Sequence, residues 1–278
     1  MERARQWAVR CWHEASLHED NIFITLTFDR QHGPESGFRS LNKPDYQKFM
    51  KRLRKRFSHL TSASCWLDEK THRYKLQKKY YSPEIRYFHC GEYGEKFGRP
   101  HHHACLFNFK FPDQELSRET ATGHPVYTSK ILSELWPQGI HEIGTVTFQS
   151  AAYVARYIIK KVGRTDILKH KKHYQGLEPE YVTMSRNPGI ASKWFDQFQT
   201  DVYPHDYVVM DTGFKALPPK YYDKRYELTD PKNYALLKQK RIDRAKANPN
   251  NSPERLAARK EIAKRKRSQL KRGYEKHD

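Results

Sequence analysis

The sequence predicts an α+β protein of the ferredoxin/RRM-like type, an antiparallel sheet built in the chain order β-α-β-β-α-β with helices on one face. Three observations support this fold class. Apolar runs of strand composition alternate with segments of helical spacing, a glycine-rich connection joins the second and third runs, and a basic, helix-prone segment closes the chain. We expect the first and third strands to be central neighbours in the sheet.

The first part of the chain predicts a helix, a strand and a second helix. Residues 5–17 carry apolar side chains at helical spacing, and residues 21–28 are β-branched or aromatic. Because this strand is almost entirely apolar or Thr, we expect it to be covered on both faces. Residues 44–57 repeat apolar side chains at three- and four-residue steps, which predicts an amphipathic helix. Its basic side is expected to bind nucleic acid through Lys51, Arg52, Arg54 and Lys55.

Two strands are expected to form a hairpin in the middle of the chain. Residues 84–90 and 101–109 have strand composition, and the glycine-punctuated residues 91–98 connect them. Residues 60–80 are polar and basic and predict no clear element.

A short helix, a fourth strand and a last helix complete the predicted domain. The helix covers residues 129–135 and the strand residues 140–148. The last helix covers residues 150–161, where Ser150 is expected to cap its start and Gly163 to end it.

Composition and charge indicate a polyanionic partner. The 278 residues carry a formal net charge of +20, which suits nucleic acid first and an anionic membrane surface second. No apolar run approaches the ~18 residues of a membrane-spanning helix. We expect residues 1–230 to form the globular domain with C-terminal elaborations, and residues 231–278 to form a basic tail that is helical or disordered.

Alternating histidines at the start of the third strand suggest a metal site. In a strand, His101 and His103 point to one face while His102 points to the other. Glu92 ends the preceding strand, so the hairpin would bring it beside His101. Two imidazoles and a carboxylate leave positions open on a divalent ion for water and a phosphate oxygen.

Three alternatives to this metal site remain open. The histidines could be packed or surface residues without a ligand. A structural zinc could use Cys90 or Cys105. A one-residue slip of the strand would turn His102 toward the site instead.

Paired tyrosines lie in the last predicted helix. Tyr153 and Tyr157 are one turn apart on one face, and Lys160 and Lys161 follow Tyr157. A phenol with its pKa near 10 is a weak nucleophile at neutral pH, but a nearby lysine and a metal-bound phosphate can lower the barrier. We expect Arg156 and Lys161 to contact nucleic acid. The alternative is that both tyrosines pack the helix against the sheet.

These motifs together resemble the HUH endonuclease superfamily of rolling-circle replication initiators, and within it the initiators of gokushovirus-type microviruses, which are single-stranded DNA phages. The resemblance covers roughly residues 3 to 240. It is carried in order by residues 23–28, 99–103 and 153–160, with support from residues 91–94 and 184–190. The middle position of the histidine motif is usually bulky and hydrophobic in the family, whereas this chain has His102.

The resemblance implies the HUH endonuclease fold and metal-dependent nicking and joining of single-stranded DNA at an origin. One tyrosine would attack, keep a 5′-phosphotyrosine linkage and free a 3′-OH, and the second would cut the regenerated origin. The implied ligands of Mg²⁺ or Mn²⁺ are His101, His103 and Glu92, and the implied catalytic residues are Tyr153, Tyr157 and Lys160. The implied partners are a single-stranded origin with a hairpin and the host helicase and DNA polymerase, in the cytoplasm of the bacterial host.

Two other functions remain open from the sequence. The basic segments alone would suit a non-catalytic protein that binds or packages single-stranded DNA. A one-tyrosine transposase or relaxase of the same superfamily would share the metal site but differ in substrate.

Overall fold

The structure is a computed structural model that describes residues 2–29, 40–68, 73–81, 84–94, 99–160, 168, 174, 176–210 and 213–268. For residues 60–68, 73–81, 157–160, 267 and 268 only the backbone is described.

A seven-stranded antiparallel sheet forms the centre of the protein, in the order β6-β7-β8-β1-β5-β4-β9. The strands are β1 (Asn21–Phe28), β2 (His59–Asp68), β3 (Arg73–Tyr81), β4 (Arg86–Tyr93), β5 (Pro100–Phe107), β6 (Glu115–Glu119), β7 (Pro125–Thr128), β8 (Gly139–Thr145), β9 (Tyr181–Met184), β10 (Val208–Val209) and β11 (Lys215–Ala216). The four predicted strands are β1, β4, β5 and β8, and the first and third of them are neighbours as expected.

Helices surround this sheet and continue into the C-terminal part of the chain. They are α1 (Glu2–Ala15), α2 (Lys43–Arg56), α3 (Lys130–Leu135), α4 (Phe148–Lys160), α5 (Ser192–Val202), α6 (Lys220–Thr229), α7 (Pro231–Ala247) and α8 (Pro253–Ser268). Among the described residues, none of these helices is both long enough and apolar enough to cross a membrane.

Each face of the sheet carries its own hydrophobic core, because alternate side chains of the strands are apolar on both sides. Ile24 and Leu26 of β1 pack with α2 and α3, whereas Phe23 packs with α1, α4 and α5. The α+β class and the central position of β1 are therefore confirmed, with one correction. The two crossover helices α2 and α3 share one face as predicted, but the other face is covered by helices as well.

Three local features differ from the sequence predictions. Residues 60–80, which gave no clear pattern, include the paired strands β2 and β3, and β6 and β7 form a further unpredicted hairpin. The cap of α4 is not Ser150 alone. The Thr147 hydroxyl accepts from the Ser150 amide and the Ser150 hydroxyl accepts from the Thr147 amide, so the helix starts earlier through a reciprocal capping box. The predicted end of this helix at Gly163 lies outside the described residues.

Helix α7 packs against the preceding part of the protein. Leu237 is buried in the α1–α4 core. Arg241 donates to the carboxylates of Asp206 and Asp223, and the Tyr203 hydroxyl donates to Asp223 at 2.7 Å. The division at residue 230 stays a prediction, but the start of the predicted tail is held to the body by this ion-pair network. The described side chains of α8 are exposed.

Candidate active site

Strand register brings the predicted ligands together on one face of the sheet. Glu92 of β4 lies opposite His101 of β5. On the other side of β5, Thr27 of β1 lies opposite His101 and Thr25 lies opposite His103. Directly paired residues of antiparallel strands share a face, so these five side chains from three strands form one polar cluster.

Threonine hydroxyls hold both imidazole rings by the same nitrogen. The Thr25 hydroxyl lies 3.0 Å from His103 Nδ1, and the Thr27 hydroxyl lies 2.8 Å from His101 Nδ1. His103 Nε2 is 2.8 Å from Glu92 Oε1, in a group that is almost fully buried. With Nδ1 held by a hydroxyl, Nε2 is the nitrogen that each ring presents to the site.

The donor set suits a divalent ion in chemical type. Two imidazole nitrogens and a carboxylate oxygen are common ligands of such ions, and the hydroxyl contacts are the outer-shell bonds that orient ligating histidines. Among the described residues, no three His, Cys, Asp or Glu side chains are arranged around one point as metal ligands. The reason is local: Glu92 and His103 contact each other directly, and the rings of His101 and His103 are 6.2 Å apart. Metal binding would replace that contact and turn the His101 ring toward the same ion.

His102 lies in the opposite core and not in the site. Its Nδ1 is 3.1 Å from His89 Nε2, and His89 Nδ1 is 2.9 Å from the Thr183 hydroxyl. Tyr46 stacks on His89 at 3.5 Å, and burial lowers the pKa of His89 well below its usual range. The structure therefore places His101 and His103 together and His102 apart, as predicted. His102 fills an apolar position by bonding to a second buried histidine.

Helix α4 brings Tyr153 directly over this cluster. The Tyr153 hydroxyl donates to Glu92 Oε1 at 3.2 Å and lies 3.5 Å from His103 Nε2. Its ring stands edge-on to His103 at 5.0 Å and packs against Phe23. Both sequence interpretations of this tyrosine are met, since the ring packs the helix on the sheet while the hydroxyl reaches the polar cluster.

The remaining predicted residues of this helix are only partly described. Tyr157 and Lys160 lie in the last turns of α4, and their side chains lie outside the described residues, as does Lys161. One turn separates Tyr157 from Tyr153 along the same helix face. Arg156 is half-buried.

The basic side of α2 does not face the site. Because α2 packs on the opposite core, its cations lie across the sheet from Tyr153. Arg52 donates to the Leu135 carbonyl at 2.7 and 3.0 Å, and Arg54 donates to the Ile85 carbonyl at 2.8 Å. These contacts do not support Arg52 and Arg54 as nucleic-acid ligands, whereas the predicted Lys51 and Lys55 are exposed.

The cysteine alternative finds no support in the structure. Cys90 and Cys105 are fully buried in the α1–α4 core, and burial raises the pKa of the Cys105 thiol to about 12. A thiol is a weak zinc ligand until it is deprotonated. Among the described residues, neither cysteine belongs to a group of potential metal ligands.

Sequence reasoning missed Thr25, Thr27 and Gly94. The signal was present, because the spacing Thr-x-Thr in β1 matches the spacing His-x-His in its antiparallel partner β5. A Cβ at Gly94 would lie 2.7 Å from His101 Nε2, so this glycine leaves room for the presenting nitrogen.

The fold and site define an α+β protein with a histidine–carboxylate cluster under a tyrosine-bearing helix. The sequence profile of the replication-associated protein ORF2 family matches residues 21–162, which include every described member of the cluster. The chain belongs to this family.

Three phage proteins are similar to this chain over much of its length. Replication-associated protein VP4 of Bdellovibrio phage phiMH2K is 34% identical over 234 residues, covering 84% of this chain and 66% of that protein. Replication-associated protein ORF2 of Spiroplasma virus 4 is 32% identical over 259 residues, covering 88% and 71%. Replication-associated protein ORF4 of Chlamydia phage 1 is 31% identical over 165 residues, covering 58% and 35%.

These relatives confirm the predicted resemblance to the replication proteins of gokushovirus-type microviruses. The chain spans just under two thirds of the length of the Bdellovibrio phage protein. No solved structure matches the chain.

Proposed function

We propose that this protein nicks and rejoins single-stranded DNA at a phage replication origin through a covalent 5′-phosphotyrosine. One observation carries the proposal: the Tyr153 hydroxyl lies 3.2 Å from Glu92 Oε1 and 3.5 Å from His103 Nε2, inside an almost fully buried cluster. Membership of a replication-associated protein family supports a role in phage DNA replication.

Glu92 is placed to receive the proton of the attacking phenol. It accepts the hydrogen bond of Tyr153, so the proton can leave along that bond as the phenol oxygen attacks phosphorus. The new bond joins tyrosine oxygen to phosphorus, the bond from phosphorus to O3′ breaks, and O3′ leaves and takes up a proton. The products are a 5′-phosphotyrosine and a free 3′-OH.

His101, His103 and Glu92 would hold Mg²⁺ or Mn²⁺ in this reaction. A bound ion would draw charge from the phosphate and so make it easier to attack. Thr25 and Thr27 keep each Nε2 turned outward for that purpose.

Tyr157 and Lys160 complete the proposed machinery one turn further along α4. Tyr157 would cut the regenerated origin, and the freed 3′-OH would then attack the first tyrosine linkage and close a circle. Lys160 would stabilise phosphate charge, and Arg156 and Lys161 would hold the neighbouring backbone. The proposed partners are a single-stranded origin hairpin and the host helicase and polymerase in the bacterial cytoplasm.

Cleavage of an origin oligonucleotide tests this function. With Mg²⁺ or Mn²⁺ present we expect a 3′-OH fragment and a 5′ fragment attached to protein. A His101→Ala, His103→Ala variant should lose cleavage, whereas His205→Ala, which removes an exposed histidine elsewhere, should keep it. Undiminished cleavage by the double variant would exclude the metal assignment.

The two open alternatives give different results in the same assay. A non-catalytic DNA-binding or packaging protein would leave the oligonucleotide intact at every metal concentration. A one-tyrosine enzyme would lose both cutting and joining in one of Tyr153→Phe and Tyr157→Phe and neither in the other.

A further inference from the structure

A second polar cavity lies on the α1–α4 side of the sheet, apart from the histidine cluster. It is a groove of about 660 Å³ between the first turns of α1 and the start of α6. The side chains that line it are cationic or aromatic for the most part: Glu2, Arg3, Gln6, Trp7, Arg10, Pro219, Lys220, Tyr221 and Lys224.

Planar groups form a stacked column in the wall of this groove. Phe88 of β4 stacks on Trp7 at 5.0 Å, and the Arg10 guanidinium lies 4.1 Å from the Trp7 ring and 3.8 Å from the Tyr221 ring. Arg10 is fixed there because it also donates to the Ile190 carbonyl at 2.8 and 3.1 Å. Tyr221 is therefore a rigidly held ring at the groove end of the column.

Exposed cations surround this column. Arg3, Lys220 and Lys224 are exposed, and Arg10 adds a fourth positive charge to the lining. Among the described lining residues Glu2 is the one carboxylate, and Arg5 pairs with it, so its charge is largely offset. The groove thus presents a net positive surface beside an aromatic ring.

The segment before α5 makes room for this arrangement. A Cβ at Gly189 would lie 2.8 Å from the Tyr221 hydroxyl. Gly189 thereby permits the close approach that holds Tyr221 beside Arg10 and the groove, which gives a structural role to the 184–190 motif that the proposed chemistry does not use.

The groove and the candidate active site lie on the same side of the sheet. Phe88 and Glu92 are four residues apart in β4, which is about 13 Å at ~3.3 Å per residue. A strand whose scissile phosphate lies at Tyr153 can therefore continue along this side of the protein into the groove.

We propose that this groove binds the single-stranded DNA flanking the cleavage site, with a base stacked on Tyr221 and phosphates on Arg3, Lys220 and Lys224. The combination of a stacking ring and a cationic track is the chemistry by which proteins hold single strands without reading their sequence. Duplex bases are already stacked on each other, so a single strand is the form that Tyr221 can engage. The inference rests on the proposed function, because it takes the cut strand as the ligand.

Binding measurements on the full chain without divalent metal test the groove. The probes are a fluorescent single-stranded oligonucleotide of about 25 nucleotides, long enough for site and groove, and a duplex of the same length. The groove variant is Arg3→Ala, Lys220→Ala, Lys224→Ala, and the matched control Lys232→Ala, Lys238→Ala, Lys240→Ala removes the same charge from exposed positions of α7. Tyr221→Ala is compared with Tyr221→Phe, which keeps the ring.

We expect the groove variant to bind the single strand at least about tenfold more weakly, and its log K to fall less steeply with log salt, by about 2, from ~0.7 per phosphate contact on three contacts. Tyr221→Ala should weaken single-strand binding about tenfold, equivalent to one stacking contact of ~1.4 kcal/mol, and Tyr221→Phe should restore it. The control variant should weaken binding by less than about twofold.

Equal losses in the groove and control variants would overturn the proposal, as would an unchanged affinity of a folded Tyr221→Ala protein or an equal loss on the duplex. Crosslinking of a 5-iodouracil-substituted strand provides a measurement that needs no variant. Mass spectrometry should find Tyr221 in the crosslinked peptide, and crosslinks confined to other segments would contradict the site. Wild-type cleavage in the same preparation separates the two hypotheses, since groove-dependent binding without cleavage would refute the nicking proposal alone.

Discussion

Removing the hydroxyls that orient the histidines should weaken metal binding without removing a ligand. Thr25→Val and Thr27→Val keep the side-chain shape but delete the contacts to Nδ1 of His103 and His101, at 3.0 and 2.8 Å. Each ring can then rotate or present the wrong nitrogen. The expected effect is on metal affinity first and on cleavage through it.

The size of the effect follows from the two hydrogen bonds. A net contribution of ~1 kcal/mol each corresponds to about fivefold in affinity per bond, and about 25-fold for the double variant if the two add. This lies within the 10- to 100-fold range typical of losing an outer-shell partner of a metal ligand. The readouts are the dissociation constant of Mn²⁺ by calorimetry and the Mn²⁺ concentration that half-saturates cleavage.

The chain offers a matched control for this experiment. Thr183 makes the same kind of contact, at 2.9 Å, to Nδ1 of His89 on the opposite face of the sheet. Thr183→Val should reduce stability by a similar hydrogen-bond contribution but leave Mn²⁺ affinity unchanged. Wild-type Mn²⁺ affinity in the Thr25→Val, Thr27→Val protein, or an equal loss in Thr183→Val, would refute the orienting role.

Three further predictions address the site, the C-terminal part and acid stability. Gly94→Ala should raise the Mn²⁺ requirement of cleavage severalfold, because its Cβ would lie 2.7 Å from His101 Nε2; an unchanged metal titration would contradict this. Arg241→Ala should lower the free energy of unfolding in urea by about 3 kcal/mol, because it leaves two buried carboxylates without their guanidinium, whereas exposed Arg244→Ala should change it little; equal effects would show that α7 is not held by this network. Burial lowers the pKa of His13 to about 3, so below the unfolded value of about 6.5 protonation favours the unfolded chain; His13 should reduce stability by about 2 kcal/mol between pH 7 and pH 5, and the pH slope should be no smaller in His13→Gln if this reasoning is wrong.

The strands and the ligand pairing could be predicted because they depend on short-range patterns. Alternation in β5 separates His101 and His103 from His102, and a hairpin of the predicted strands brings Glu92 opposite His101. Helical spacing likewise places Tyr153 on the buried side of α4. These are consequences of side-chain period and of a short connection.

Other features could not be predicted because they depend on long-range pairing. Thr25 reaches His103 across 78 positions of sequence, and Arg10 reaches Ile190 across 180. The charge pattern of α2 suggested a DNA-binding side, yet Arg52 donates to the carbonyl of Leu135 in α3. Guanidinium groups that satisfy backbone carbonyls and those that face solvent have the same sequence signature.

The covalent protein–DNA linkage tests the central claim most directly. Wild-type protein is incubated with the origin oligonucleotide and Mg²⁺ or Mn²⁺, denatured, digested, and analysed by mass spectrometry for a nucleotide-bearing peptide. The account predicts a phosphotyrosine linkage to the 5′ end of the downstream fragment on Tyr153 or Tyr157, lost in the Tyr153→Phe, Tyr157→Phe variant. Cleavage that leaves no linked peptide, or a linkage that persists in the double variant, would contradict it.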